Sequence, residues 1–153
     1  MALIHSILMG AVAGMRSMTP LAAVANAART GTLPRDNGAP RLLANPLASA
    51  GMLALAGGEL AGDKMKTAPD RIVLAGMMAR VATGAIAGAA LAPRHQRGIA
   101  ALLGAGTAVA AAYLTFNARM RAIERYGQTS TGAIEDATSV GAATLIVRSA
   151  AEE

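Results

Sequence analysis

The sequence predicts an all-α protein, a polytopic transmembrane helical bundle of about four to five helical segments whose first segment is broken or kinked near Pro20. Three observations carry this. Of 153 residues, 54% are hydrophobic and 15% charged, and the apolar mass is Ala, Gly, Leu and Val rather than aromatics, a composition suited to close helix packing. Residues 98–118 form an uncharged run long enough to cross a bilayer. Finally, the apolar run of residues 2–28 is interrupted by GMRSMTP at residues 14–20, which puts Arg16 roughly 20 Å along a helix and near a bilayer centre. An arginine there costs about 2.5 to 3.5 kcal/mol and calls for a partner.

Composition also sets exclusions. With no Cys and only His5 and His95, disulfides, thiolate chemistry and a histidine-rich metal centre are excluded, and no metal or cofactor is expected. The net charge of +5 comes from arginines spread singly along the chain, without a basic stripe or stacking aromatics, so nucleic acid is not an expected partner. Basic loops beside a lipid bilayer account for the charge. Ala11, Val12 and Ala13 resemble a signal-peptide cleavage site, but no Lys or Arg precedes them and the chain stays apolar beyond. The segment is read as retained, within a single integral membrane domain of residues 1–153.

In the first segment, residues 2–28, Gly10 and Gly14 have the spacing that lets helix backbones approach. Pro20 cannot donate to the carbonyl of Arg16 and pushes Thr19 from helical geometry, so a kink or two half-helices meeting near Arg16 are expected. A proline kink with a structural salt bridge and a functional break fit equally. A Gly, Pro and Asn-rich loop at residues 29–41 follows.

The second segment, residues 42–62, ends in GELAGDK. Gly51, Leu55, Glu59 and Asp63 recur every fourth residue, so both acids share a helix face with a glycine, and that face is expected to look toward Arg16. The third segment opens at Pro69, Asp70 and Arg71, with Asp70 as N-cap, and is stopped by Pro93. Gly76, Arg80, Gly84 and Gly88 form a stripe on it. Arg80 is therefore expected against acceptors on a neighbouring helix, and Gly84 and Gly88 at a helix contact or a homo-oligomer interface.

The fourth segment, residues 98–118, leads into a basic exit stretch, Arg119 to Arg125, read as an interfacial turn, and then a loop, YGQTSTG, at residues 126–132. The last segment, residues 134–147, carries Glu135 and Asp136 in its first turn, where acids suit the positive end of the helix dipole. Glu135, Thr138, Ser139 and Ala142 also form a small polar face expected to look inward. Arginine and lysine divide almost evenly between alternate loops, so the positive-inside rule does not orient the chain.

The candidate site is the charge cluster these segments can assemble: Arg16, Ser17, Thr19 and Pro20 at the break, with Glu59, Asp63, Arg80, Glu135 and Asp136. Glu59 is the first choice as partner of Arg16, with Asp63, Glu135 and Asp136 behind it. GMRSMTP, GELAGDK, the following Pro69 and Arg71, Arg80 and the Glu135, Asp136 pair resemble the uncharacterised bacterial membrane proteins grouped as domain of unknown function 4126. The resemblance covers most of the chain. It departs after Asp63 and Lys64, where Met65 and Lys66 replace a proline frequent in the family, and this bears on the local loop. It implies a multi-pass protein of the bacterial inner (cytoplasmic) membrane and supplies no reaction.

Three functions fit these residues. A small transporter or channel-like protein would use Arg16 and Arg80 to bind an anionic or phosphate-bearing substrate at a discontinuous helix. A structural or assembly protein would use the ion pairs to fix helix register. An enzyme acting on a lipid phosphate would hold a divalent ion on the acids, yet these lack the dense aspartate spacing such enzymes carry, so catalysis is the weakest of the three. Because buried ion pairs roughly break even against apolar replacements, six ionisable groups in so small a bundle point to a site.

Overall fold

A computed structural model describes residues 2–62 and 74–152, whose regular elements are all helices, with no strand among them. The helices are α1 (Ala2–Met15), α2 (Met18–Thr30), α3 (Pro46–Gly62), α4 (Leu74–Leu91), α5 (Arg97–Tyr126) and α6 (Gln128–Ala151), with short 3-10 turns at Arg41–Ala44 and Arg94–Gln96. They correspond to the five segments read from the sequence, the first divided in two.

The division falls where the backbone chemistry requires it. Arg16 and Ser17 lie between α1 and α2, and Pro20 sits fully buried in the first turn of α2. A proline is tolerated there because the first amides of a helix have no intrahelical acceptor. Helix α2 ends at Gly31, whose positive φ of 71° brings its N–H onto the Ala27 carbonyl. The second segment begins four residues later than expected. Residues Arg41–Ala44 form a 3-10 turn, and Asn45 caps α3 by accepting from the N–H groups of Leu47 at 2.9 Å and Ala48 at 3.3 Å, with Pro46 at the first helical position. The expected cap at Asp70 lies outside the described residues, and α4 stops before Pro93 as its ring requires.

The end of the chain departs from the sequence reading. The basic stretch from Arg119 continues α5 to Tyr126, and the expected YGQTSTG loop contracts to Gly127, whose φ of 82° is readily adopted only by glycine. Helix α6 therefore starts at Gln128 and has no acid in its first turn. Glu135 and Asp136 stand two turns inside it, so they do not serve as its N-terminal acids.

Helices α1, α4 and α5 form the tight centre of the fold. The reason is small residues. A Cβ on Gly14 would lie 2.6 Å from the Ala108 carbonyl oxygen, one on Gly84 2.7 Å from that of Gly104, and one on Gly88 2.6 Å from that of Ala100. The Gly84 and Gly88 stripe is thus occupied by α5 of the same chain, which accounts for the spacing without a second copy. Helix α2 packs on α3, α4 and α6, and buried Met9, Val12, Leu21, Val24, Leu91 and Val147 join these helices in one apolar core.

Helix α3 is outermost and buries only Ser49 and Ala56. Its Gly51 and Leu55 point outward, and among the described residues nothing lies within 4 Å of a Cβ added at Gly51. The expected close-contact face from Gly51 to Glu59 is therefore not formed.

Candidate functional site at the helix break

In a continuous helix the N–H of Met18 would bond to the carbonyl of Gly14. Here the two are taken by different helices. Arg80 on α4 donates from Nε to the Gly14 oxygen at 3.1 Å, while Met18 N donates to Glu59 Oε2 on α3 at 2.8 Å. Glu59 Oε1 accepts two further bonds, from Ser17 N at 2.8 Å and Ser17 Oγ at 2.7 Å. A guanidinium thus sits at the negative C-terminal end of α1 and a carboxylate at the positive N-terminal end of α2. Arg80 also donates from Nη1 to Gly76 O at 2.9 Å. Its emergence from the glycine stripe onto a neighbouring backbone matches the sequence expectation.

Ser17, whose type and position suit an N-cap, does not act as one. Its backbone is helical, with φ −66° and ψ −43°, and its hydroxyl caps no amide of α2. Glu59 supplies the missing acceptor from a different helix.

Arg16 looks elsewhere. It is 1% exposed and its Nη2 forms a salt bridge with Asp136 Oδ1, with Glu135 Oε2 at 3.7 Å. Glu135 in turn accepts from Nη1 of Arg119 at 2.6 Å. The first-choice pairing of Arg16 with Glu59 is overturned, and the fold supplies the reason. Helix α1 packs against α4, α5 and α6, whereas α3 packs chiefly on α2 and the 3-10 turn before it, and among the described residues it is the acids of α6 that meet Arg16. Asp63 lies outside the described residues.

Arg119, half of the clamp between α5 and α6, reads from sequence as part of an interfacial turn. Two signals mark it. It continues the small-residue face of α5 through Ala100, Gly104, Ala108 and Ala112, and Arg119 and Glu135 each stand eight residues from Gly127, which places them opposite one another across a helical hairpin. The polar face of α6 is also rotated from its expected position. Asp136, Ser139 and Ala143 are buried while Thr138 is exposed.

Thr19 is 6% exposed, and its Oγ1 has no hydrogen-bond partner among the described residues. It lines a cleft of ≈ 340 Å³ between α2, α3 and α6, together with Ala23, Asn26, Leu53, Leu60 and Thr144. A second cavity of ≈ 530 Å³ shares Ala23, Asn26 and Thr144 with it and reaches Arg148 near the end of α6. The inner cleft is lined by apolar, hydroxyl and amide groups. Its lining includes Thr19 and Leu60, the chain neighbours of Met18 and Glu59.

Three buried or half-buried cations, Arg16, Arg80 and Arg119, thus stand beside three such acids, Glu59, Glu135 and Asp136. Among the described residues the cluster is self-neutralising, and Arg16 and Arg80 already hold protein oxygens rather than presenting open guanidinium groups. Charge-assisted hydrogen bonds of this kind are roughly twice as strong as neutral ones. The arrangement can hold a broken helix open in an apolar setting without leaving its freed backbone groups bare.

These features define an all-helical protein organised around a charge-capped break in its first helical segment. The chain belongs to the family described as domain of unknown function DUF4126, whose model matches residues 3–150. No curated protein and no solved structure matches it.

Proposed function

We propose that the chain is a multi-pass integral membrane protein that binds and passes a small anionic solute at the break between α1 and α2. Its setting in this reading is the bacterial inner membrane implied by the family resemblance. Support for the membrane comes from helices of spanning length and composition, Leu74–Leu91 and Arg94–Tyr126, beside the shorter apolar Leu3–Met15. A core helix of a soluble protein would be mostly covered. In these two spans 39% and 22% of the apolar window is buried, and Leu102, Leu114 and Leu145 are 75%, 72% and 66% exposed, which suits lipid as the surrounding solvent. On this reading α1 and α2 together make one discontinuous span, and α3 and α6 complete a bundle of about four to five spans.

The observation that carries the solute-binding reading is the break itself: backbone amides at the start of α2 are aimed at a half-buried carboxylate of another helix. Half-helix N-termini at membrane depth are the places where transporters hold anionic groups. Uptake of labelled small acids and phosphate into proteoliposomes tests it. Uptake above that of protein-free vesicles, and its loss in Arg16→Met, is expected; no uptake of any anion by folded, reconstituted protein would sink the reading.

A structural or assembly role is the second reading, favoured by the way the six ionisable groups bond within the chain.

A further inference from the structure

Resting on the solute-binding reading, we propose that the N-terminus of α2 is a site for the carboxylate of a short aliphatic acid, and that Glu59 is a tethered stand-in that the solute displaces. The donors that Glu59 uses define the ligand head. Ser17 N and Ser17 Oγ converge on one oxygen and Met18 N on the other. That is a match for a planar group with two oxygens. A tetrahedral phosphate would present a third oxygen to the same helix turn, where Pro20 has no N–H to give.

The cleft defines the rest of the ligand. Thr19 on α2 and Leu60 on α3, the chain neighbours of Met18 and Glu59, are among its lining residues, with apolar Ala23 and Leu53. Its volume of ≈ 340 Å³ admits a short chain, and none of its lining residues is charged. Thr19 adds a buried hydroxyl without a partner among the described residues, an independent sign that a polar group belongs beside the α2 terminus.

Glu59 is also placed to leave. It is half-buried, on the helix with the fewest buried side chains, and among the described residues nothing lies within 4 Å of a Cβ added at Gly57, Gly58 or Gly62 around it. Among the described residues, a shift of α3 at this end breaks no packed contact of those glycines. With Glu59 seated, α2 is capped and the site is closed; with the carboxylate of the solute seated, Glu59 leaves the α2 amides and the cleft is filled.

The test is binding of butyrate to the full chain in detergent, read by saturation-transfer NMR and by thermal unfolding, with phosphate and the neutral methyl butyrate as comparison probes. Wild type should bind butyrate, and Glu59→Ala, which removes the competitor, should bind it roughly tenfold tighter if Glu59 fills the site about nine-tenths of the time. The unfolding temperature lost in Glu59→Ala should recover with butyrate and with neither comparison probe. Thr19→Val should weaken binding while leaving the unfolding temperature near wild type. Should Glu59→Ala fail to fold, Glu59→Gln, a weaker competitor, takes its place with the same expected direction. Folded variants indifferent to butyrate would overturn the proposal, as would an equal response to phosphate. So would rescue confined to the variant with no binding by wild type, which would make Glu59 a permanent cap. Because binding is read without flux, butyrate binding without transport would count against the transport reading alone, and anion uptake without butyrate binding against this site alone.

Discussion

Glu59 and Arg80 hold the two ends of one missing hydrogen bond: Met18 N donates to Glu59, and the Gly14 oxygen it would have met in a continuous helix accepts from Arg80. This relationship predicts an unusual double mutant. Glu59→Ala strands the amides of Ser17 and Met18, and Arg80→Met strands the Gly14 carbonyl, each costing about 1 to 3 kcal/mol per group left unpaired. With both removed, Gly14 and Met18 are free to bond to each other, so the double variant should recover part of the summed loss and gain helicity. Denaturant unfolding in a double-mutant cycle measures the coupling. Strict additivity would show that the helix stays broken without either residue.

The Arg16–Asp136 pair makes a second prediction. Arg16→Met or Asp136→Asn should each destabilise the chain by about 3 to 5 kcal/mol, because the surviving charge is left buried without its partner, and the two changes together should cost less than their sum. Arg16→Met combined with Glu59→Gln should instead be nearly additive, since these residues hold different groups. Coupling of Arg16 to Glu59 stronger than to Asp136 would contradict the geometry.

Glycines separate into two classes. Gly84→Ala and Gly104→Ala drive a methyl into the facing backbone of α5 or α4 and should cost about 1 to 3 kcal/mol. At Gly58, with open space beyond its Cα, the same substitution should be neutral or stabilise by roughly 0.5 to 1 kcal/mol through helix propensity. Thermal unfolding of the three variants in one detergent decides it. Equal losses at all three would mean that close packing is not what the first two supply.

The membrane reading has its own measurement. Washing membranes with alkaline carbonate should leave the protein in the pellet, because α5 exposes Ile99, Leu102 and Leu114 along a run with no charge between residues 98 and 118. Recovery as a folded monomer in the supernatant would remove the setting in which the buried charges are costly.

What the sequence determined by itself is what backbone chemistry and local spacing control. Pro20 must leave the Arg16 carbonyl without its helical donor, Pro93 must stop α4, and glycines at four-residue spacing, Gly10 and Gly14 or Gly84 and Gly88, must mark faces where helices touch. Those statements need only neighbours along the chain. The α6 start is an instructive miss of the same local kind. Gln, Thr, Ser and Gly read as a loop by composition, yet a single glycine of positive φ made the turn and left the polar residues to the helix. Only the tertiary structure decided which acid meets which arginine. Arg16 and Asp136 are far apart in sequence, and their pairing follows from α6, not α3, lying against α1. Glu59 could not be recognised as the cap of α2 for the same reason. A charge at a helix end is legible in sequence when it belongs to that helix, whereas here the acceptor arrives from another helix, placed there by packing of apolar faces that specify contact but not which polar groups come with it.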